Sequence, residues 1–296
     1  MSIYPFMQVD AFTDRPLGGN PCAVLFETDG LTDETMLAIA REMNLSETAF
    51  VSQSKKADFG ARYFTPGGEI PLAGHPTIAT VHALVESGRL TLTGEFTEII
   101  LELQAGLIPI EISSLEGKIL DITMIQNKPI FMAKYNPREV MPVFGLAAQD
   151  LIPKSIIQTV STGTPQLMVH LRDLDTLKNV QLDIPAFSAL HAQGDFFSAH
   201  LFCLSGITSN AATFARHFAP PPDIIEDPFT GSATGGMAAY LWYYGMIDEP
   251  TFIAEQGHWL NRPGQATVEI LGPRDDIQAV KIGGQAVTIL RGELDL

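Results

Sequence analysis

Residues 63–88 and 217–245 carry one segment written twice. The first copy reads YFTPGGEIPLAGHPTIATVHALVESG and the second HFAPPPDIIEDPFTGSATGGMAAYLWYYG. With three extra residues allowed in the second copy they align end to end. Phe64 falls on Phe218, Pro66 on Pro220, Glu69 on Asp223, Gly74 on Gly231, Thr77 on Thr234, Leu84 on Leu241 and Gly88 on Gly245. Each copy reads as a short strand, a Gly-led turn and a helix that stops at Gly. A chain that builds this unit twice can aim two helix N-termini at one place. The unpaired N–H groups at those ends would then hold an anion between two lobes.

The repeat reaches beyond this segment. Gly163-Thr164-Pro165 echoes Gly19-Asn20-Pro21, and SETAF of the first half has a weaker echo in FSAHLF near Ser198. A period of about half the chain implies two similar lobes and not a solenoid of short repeats. In the first half, IYPFMQVDAF and CAVLF read as strands around a Gly-Gly-Asn turn. Thr32 caps a helix running to about Met43, and SETAFVSQ and ADFGARYFTP read as further strands. The Pro-rich stretch from about Asn127 to Pro153 reads as the inter-lobe passage with a short helix.

At 296 residues the chain is long for a single core, which agrees with two lobes. A net charge of −16 opposes a phosphate backbone, so nucleic acid is not an expected partner. Apolar runs are too short for a membrane-spanning helix, and the N-terminus lacks the basic and apolar regions of a signal peptide. Two cysteines, Cys22 and Cys203, make no disulfide framework, which fits a reducing, cytoplasmic setting.

Several residues could carry chemistry. Gly74-His75-Pro76-Thr77 and Gly231-Ser232-Ala233-Thr234 lead the two repeated helices, and Pro76 suits a helix entry. Alone, each could be an ordinary cap; paired, they predict a carboxylate cradle built without Lys or Arg. Asp227, in Glu226-Asp227-Pro228, has no counterpart in the first copy and breaks the symmetry just ahead of the second turn. It could orient a substrate or hold the catalytic acid, or be a solvated loop acid. Glu47 opens an apolar strand beside Phe50 and Val51, where burial would raise its pKa toward the range of a general acid/base; an outward-facing edge glutamate has the same pattern. His75 could donate a hydrogen bond or relay a proton, or merely pack. The other histidines show no ligand spacing, so a metal is not expected. There is no GxSxG, P-loop or strand-linked GxGxxG.

Taken together, VDAFTDRPLGGNPCAVLF, AREMNLSETAFV, YFTPGGEIPLAGHPT, EDPFTGSATGG and IGGQAVTILRGEL resemble the PhzF family of phenazine-biosynthesis isomerase-like proteins, in the family's order and across almost the whole chain. The resemblance implies the diaminopimelate-epimerase-like fold: α+β, two pseudo-symmetric lobes, each a curved and mostly antiparallel sheet around a central helix. It places the catalytic Glu on Glu47, the His and Asp on His75 and Asp227, and the Ser of the second turn on Ser232. Backbone at Gly74, His75, Gly231 and Ser232 would form the carboxylate cradle, with Asn20 at the rim of the cleft. Thiol-based epimerases of this fold carry Cys beside each Gly turn; here those positions hold Ala73 and Thr230, so a one-base mechanism fits better.

The expected lobes are 1–123, joined by the last strand at about 285–296, and 124–284. The expected activity is a cofactor-independent, metal-independent isomerisation of a small cyclic or amino carboxylic acid by a homodimeric protein. A non-thiol epimerase of the same fold, or a non-enzymatic binding protein that keeps the cleft, are the alternatives.

Overall fold

The computed structural model describes residues 2–296. The first half runs β1 (Ile3–Ala11), β2 (Asn20–Leu25), α1 (Asp33–Met43), β3 (Glu47–Ser52), β4 (Phe59–Phe64), β5 (Glu69–Ile70), α2 (Gly74–Glu86), β6 (Phe96–Leu103), β7 (Gly106–Leu115) and β8 (Lys118–Gln126). After β9 (Ile130–Tyr135) and α3 (Pro137–Val140), the order restarts: β10 (Ile157–Ser161), β11 (Pro165–His170), α4 (Leu174–Lys178), α5 (Ile184–Gln193), β12 (Ser198–Cys203), β13 (Thr213–Phe218), β14 (Glu226–Asp227) and α6 (Gly231–Tyr243). It closes with β15 (Thr251–Gln256), β16 (Gly264–Leu271), β17 (Ala279–Gly284) and β18 (Ala286–Asp295).

One run of pairings, β18-β1-β2-β3-β4-β6-β7-β8, wraps α2. A second, β17-β16-β15-β13-β12-β11-β10-β9, wraps α6. Antiparallel pairing of β8 with β17, through Val280 opposite Gln126, joins the two. The chain's end returns to its start, with β18 antiparallel to β1. The architecture is α+β: a curled, mixed sheet with few helices.

Each central helix is sheathed by sheet, so it is buried all round instead of on one face. Every residue from Gly74 to Leu84 is buried, and likewise every residue from Gly231 to Leu241. Among them are Ile78, Val81 and Leu84 on α2 and Met237, Tyr240 and Leu241 on α6. The surface helix α1 shows the other pattern. Met36, Ile39 and Ala40 face inward, Thr32 caps its start by accepting from the Thr35 N–H, and Asn44 ends it in the left-handed conformation.

Ladder registers fix how the halves correspond, and they correct one detail of the sequence alignment. Phe64 lies opposite Glu69, and Phe218 lies opposite Glu226. The counterpart of Glu69 is therefore Glu226, not Asp223, and the three extra residues fall in the loop before Glu226. The ion pairs repeat the same equivalence. Arg62 bonds Glu69 and lies over Phe64, while Arg216 bonds Glu226 and lies over Phe218. Asp227 takes the place of Ile70. The passage from Asn127 onward also holds more order than its prolines suggest, since Ile130–Tyr135 pairs with β10.

Candidate active site

The two Gly turns meet. A methyl group on Gly74 would lie 2.7 Å from the Cα of Gly231 and 2.9 Å from the Ser232 amide nitrogen. Only two residues without side chains allow this approach. Neither helix start is capped by a side chain: Ala73 has no group to offer, and Thr230 makes no capping bond to α6. The first-turn N–H groups of both helices are thus left free at the junction, where both dipoles favour negative charge. From the other side, Gln126 donates its side-chain amide to the Gly231 carbonyl at 2.9 Å, and its Oε1 accepts from Thr162 at 2.6 Å.

Beside this junction lies a narrow cleft with residues of both halves in its walls. Glu47, Asp223, Asp227 and Ser232 line it, and no Lys or Arg does. A carboxylate entering it would meet neutral hydrogen-bond donors and no fixed cation.

Glu47 is the first residue of β3, in parallel register with Cys22. Its Oε2 comes within 3.2 Å of His75 Nε2. Alignment is poor, however, and both atoms are buried without a hydrogen bond. Burial pushes the Glu47 carboxyl well above the usual range, with the negative charges of Asp227 and Asp223 adding to the effect. Burial also lowers the His75 pKa to about 3, so its ring is neutral.

Asn20 ties the group together from the start of β2. Its Nδ2 lies 2.9 Å from His75 Nδ1, 2.8 Å from Asp227 Oδ1 and 2.8 Å from the Phe229 carbonyl. The carbonyl and carboxylate can only accept, which assigns the nitrogen to this side of the amide. Two hydrogens serve three acceptors, so His75 Nδ1 shares one of them; an amide nitrogen cannot accept, so Nδ1 turns its lone pair toward it. The ring proton then sits on Nε2, directed toward the Glu47 side of the cleft. The second oxygen of Asp227 accepts from Thr230 Oγ1 at 2.5 Å, and burial raises the Asp227 pKa against these bonds.

Glu47, His75 and Asp227 place one donor atom each within 4.8 Å of one another, a spacing that suits a divalent cation. The protonation pattern does not suit one. A ligating His75 would need its lone pair on Nε2, whereas the Asn20 contact puts the lone pair on Nδ1.

The structure brings Asn20, Glu47, Gly74, His75, Asp227, Gly231 and Ser232 close together; Glu47, Asp227 and Ser232 line the cleft, and the other four pack against them outside its walls. The supporting residues carried no local signal. Gln256 donates to the Asp227 carbonyl at 2.7 Å and accepts from the Thr230 N–H, holding the second turn in shape. Arg262 bonds the Gly18 and Gly19 carbonyls and Asp10, clamping the turn that presents Asn20. Gly19 has φ +51 and no room for a methyl group, which would meet the Ala11 carbonyl at 2.0 Å. The positions directly before the two turns hold Ala73 and Thr230, so no thiol stands there. Cys22 and Cys203 are buried and unbridged, and burial with the nearby Glu47 charge pushes the Cys22 thiol up.

The family model for phenazine biosynthesis-like proteins matches residues 9–292. An uncharacterized isomerase of Clostridium acetobutylicum is 33% identical, covering 99% of this chain and 98% of its own length. The trans-2,3-dihydro-3-hydroxyanthranilate isomerase of Pseudomonas fluorescens is 32% identical, covering 99% of this chain and 100% of its own. Among solved structures, a PhzF-family phenazine biosynthesis protein from Bacillus anthracis superposes with a TM-score of 0.86 at 33% identity, covering 100% of both chains. The chain belongs to the phenazine biosynthesis-like (PhzF) family, and it is an enzyme of the isomerase class. No helix among the described residues is long and apolar enough to cross a membrane.

Proposed function

We propose that this protein isomerises a small carboxylic acid by moving one proton between two carbons, with Glu47 as the single carrier and without a metal or organic cofactor. The observation that carries the reading is the abutment of Gly74 and Gly231 beside Glu47, His75 and Asp227. The uncapped helix starts bind the substrate carboxylate. This fixes a neighbouring C–H against Glu47 and lets the dipoles stabilise negative charge that spreads toward the carboxylate during proton removal.

Glu47 must bind substrate as a carboxylate, accept the proton, and return it at a second carbon of the same conjugated system. Its raised pKa suits both halves of that task, because a carboxyl that holds its proton more tightly than usual is a stronger base once ionised. His75, neutral with its proton on Nε2, hydrogen-bonds the substrate or Glu47 as the carboxyl changes state. Asp227 accepts from an amino or hydroxyl group of the substrate and holds Asn20. No second base is supplied at the turns, where Ala73 and Thr230 stand, so return of the proton to the same face is favoured over two-base epimerisation.

We further propose that residues 1–123 with 285–296, and residues 124–284, act as two lobes closing over the substrate, in a cytoplasmic homodimer. The relatives named for trans-2,3-dihydro-3-hydroxyanthranilate make that compound the first substrate to try. Incubation of the wild-type protein in D₂O with it and a panel of cyclic and amino carboxylates, read by NMR, tests the proposal. Deuterium at two carbons of one conjugated system, or direct conversion to a double-bond isomer, is the expected result. Absence of exchange in every compound that binds contradicts it.

A further inference from the structure

The second half contributes its own polar wall to the cleft, at the place that Glu47 holds in the first. Glu47 is the first residue of β3, opposite Cys22 in the parallel β2–β3 ladder; Ser198 is the first residue of β12, opposite Gln166 in the parallel β11–β12 ladder. The next strands agree, with Thr48 opposite Phe64 and Ala199 opposite Phe218. Duplication has therefore put a serine where the other half has its acid.

Ser198 does not stand alone. Gln166, Ser198 and His217 all line the cleft, with exposures of only 1%, 0% and 3%. Gln166 Oε1 can only accept, so the Ser198 hydroxyl donates to it in a short bond. Ser198 Oγ must then accept from His217 Nε2, which lies 2.7 Å away. His217 Nδ1 is left with its lone pair and takes the N–H of His200 Nδ1 at 3.2 Å. All these protons point one way along the chain, and it ends on Gln166. The Gln166 amide N–H₂ finds no partner among the described residues. Burial keeps both imidazoles neutral, so the wall bears no charge. The Gln166 amide nitrogen is not among the fully buried atoms left without a partner, so it stands open to the cleft it lines, where a ligand can take its hydrogen bonds.

We propose that Gln166, held in place by Ser198, determines specificity by donating a hydrogen bond to a neutral acceptor on the substrate, a hydroxyl or carbonyl oxygen at a distance from the carboxylate. The inference rests on the carboxylate-cradle reading above and narrows the substrate class to hydroxy- or oxo-monocarboxylates. A second carboxylate or a phosphate is disfavoured, because Glu47, Asp223 and Asp227 already line the same cleft and no cation does.

Calorimetric titration with benzoate and the three monohydroxybenzoates tests it, using the wild-type protein and the Gln166→Met and Ser198→Ala variants, each checked for folding by thermal melting. In the wild type at least one hydroxybenzoate should bind about tenfold more tightly than benzoate, the worth of one well-placed neutral hydrogen bond. Gln166→Met should erase that gain and leave benzoate affinity within about twofold, because the lost bond involves only the hydroxyl. Ser198→Ala, which frees the Gln166 side chain, should reduce the gain in the same direction. If no hydroxybenzoate is preferred, or the preference survives Gln166→Met, the inference is overturned while the cradle stands. If benzoate and all three hydroxybenzoates fail to bind the wild type, the cradle reading fails and this inference with it.

Discussion

Gly74 and Gly231, 157 residues apart in sequence by subtraction of their numbers, touch backbone to backbone where two helices begin. The contact requires both to be glycine, and it sets two uncapped helix starts against one cleft. A side chain at either position separates them or fills the place of a ligand.

Gly74→Ala should therefore lower stability by about 1–3 kcal/mol, the usual cost of forcing a methyl group into a packed site, and weaken carboxylate binding at least about tenfold. Gly231→Ala meets the Phe12 ring at 2.7 Å and should behave similarly. Denaturant unfolding together with titration of a simple carboxylate measures both effects. A variant that binds normally would contradict the cradle.

Asn20→Ala removes one amide that serves Asp227, His75 and the Phe229 carbonyl. It should cost about 1–3 kcal/mol in stability, since buried acceptors lose their partner. It should also slow isotope exchange by about tenfold or more, because His75 is released from one tautomer and Asp227 from one orientation. Nitrogen-15 NMR of the His75 ring would show Nε2–H in the wild type and a mixture in the variant. An unchanged ring spectrum and rate would reduce Asn20 to a packing residue.

Acid should destabilise the protein well before its carboxylates are all protonated. His75 and His200 titrate at about 3 and His170 at about 4 in the folded protein, against 6.5 for the ordinary group. Below pH 6.5 the unfolded chain binds protons that the folded one refuses. Stability is thus lost as pH falls from 6.5 toward 4, by at most about 1.4 kcal/mol per pH unit for each histidine. Ring nitrogen-15 shifts of these histidines in the folded protein should stay at their neutral values from pH 7.5 down to pH 4.5; a protonated ring at pH 5.5 would contradict neutral burial.

Glu47 has the opposite sign. With its folded pKa raised, the native state holds a proton that the unfolded chain has released above about pH 4.5, so its ionisation destabilises the fold increasingly as pH rises through that interval. Glu47→Gln should consequently melt higher than wild type at pH 8, with the advantage shrinking toward pH 5. Equal melting temperatures throughout would mean that the Glu47 pKa is ordinary.

Much of this site was legible because duplication makes local sequence report on long-range structure. Gly74 and Gly231 announced two like turns, and Ala73 and Thr230 in place of thiols argued against a two-thiol racemase. Glu47 stood out as an acid in an apolar strand. What stayed hidden depends on contacts between distant segments. Gln256 and Gln126 are single amides within strands, yet they lock the second turn. Arg262 shapes the Asn20 turn from the far side of the chain. The place of the three-residue insertion was misread because Asp223 and Glu226 are both acids, and only strand register with the Arg216–Glu226 pair distinguishes them. The weak echo of SETAF in FSAHLF leaves open which residue answers which, and only strand register puts Ser198 in the place of Glu47.

The most direct test of the account is deuterium exchange by Glu47→Gln, run beside wild type on the substrate that wild type converts. The amide keeps the shape of the side chain and cannot carry the proton. The account predicts that ligand affinity stays within about threefold of wild type while exchange and conversion fall by about 10³-fold or more, the range for loss of an essential general base. Exchange by Glu47→Gln within about tenfold of the wild-type rate would contradict a mechanism in which Glu47 carries the proton.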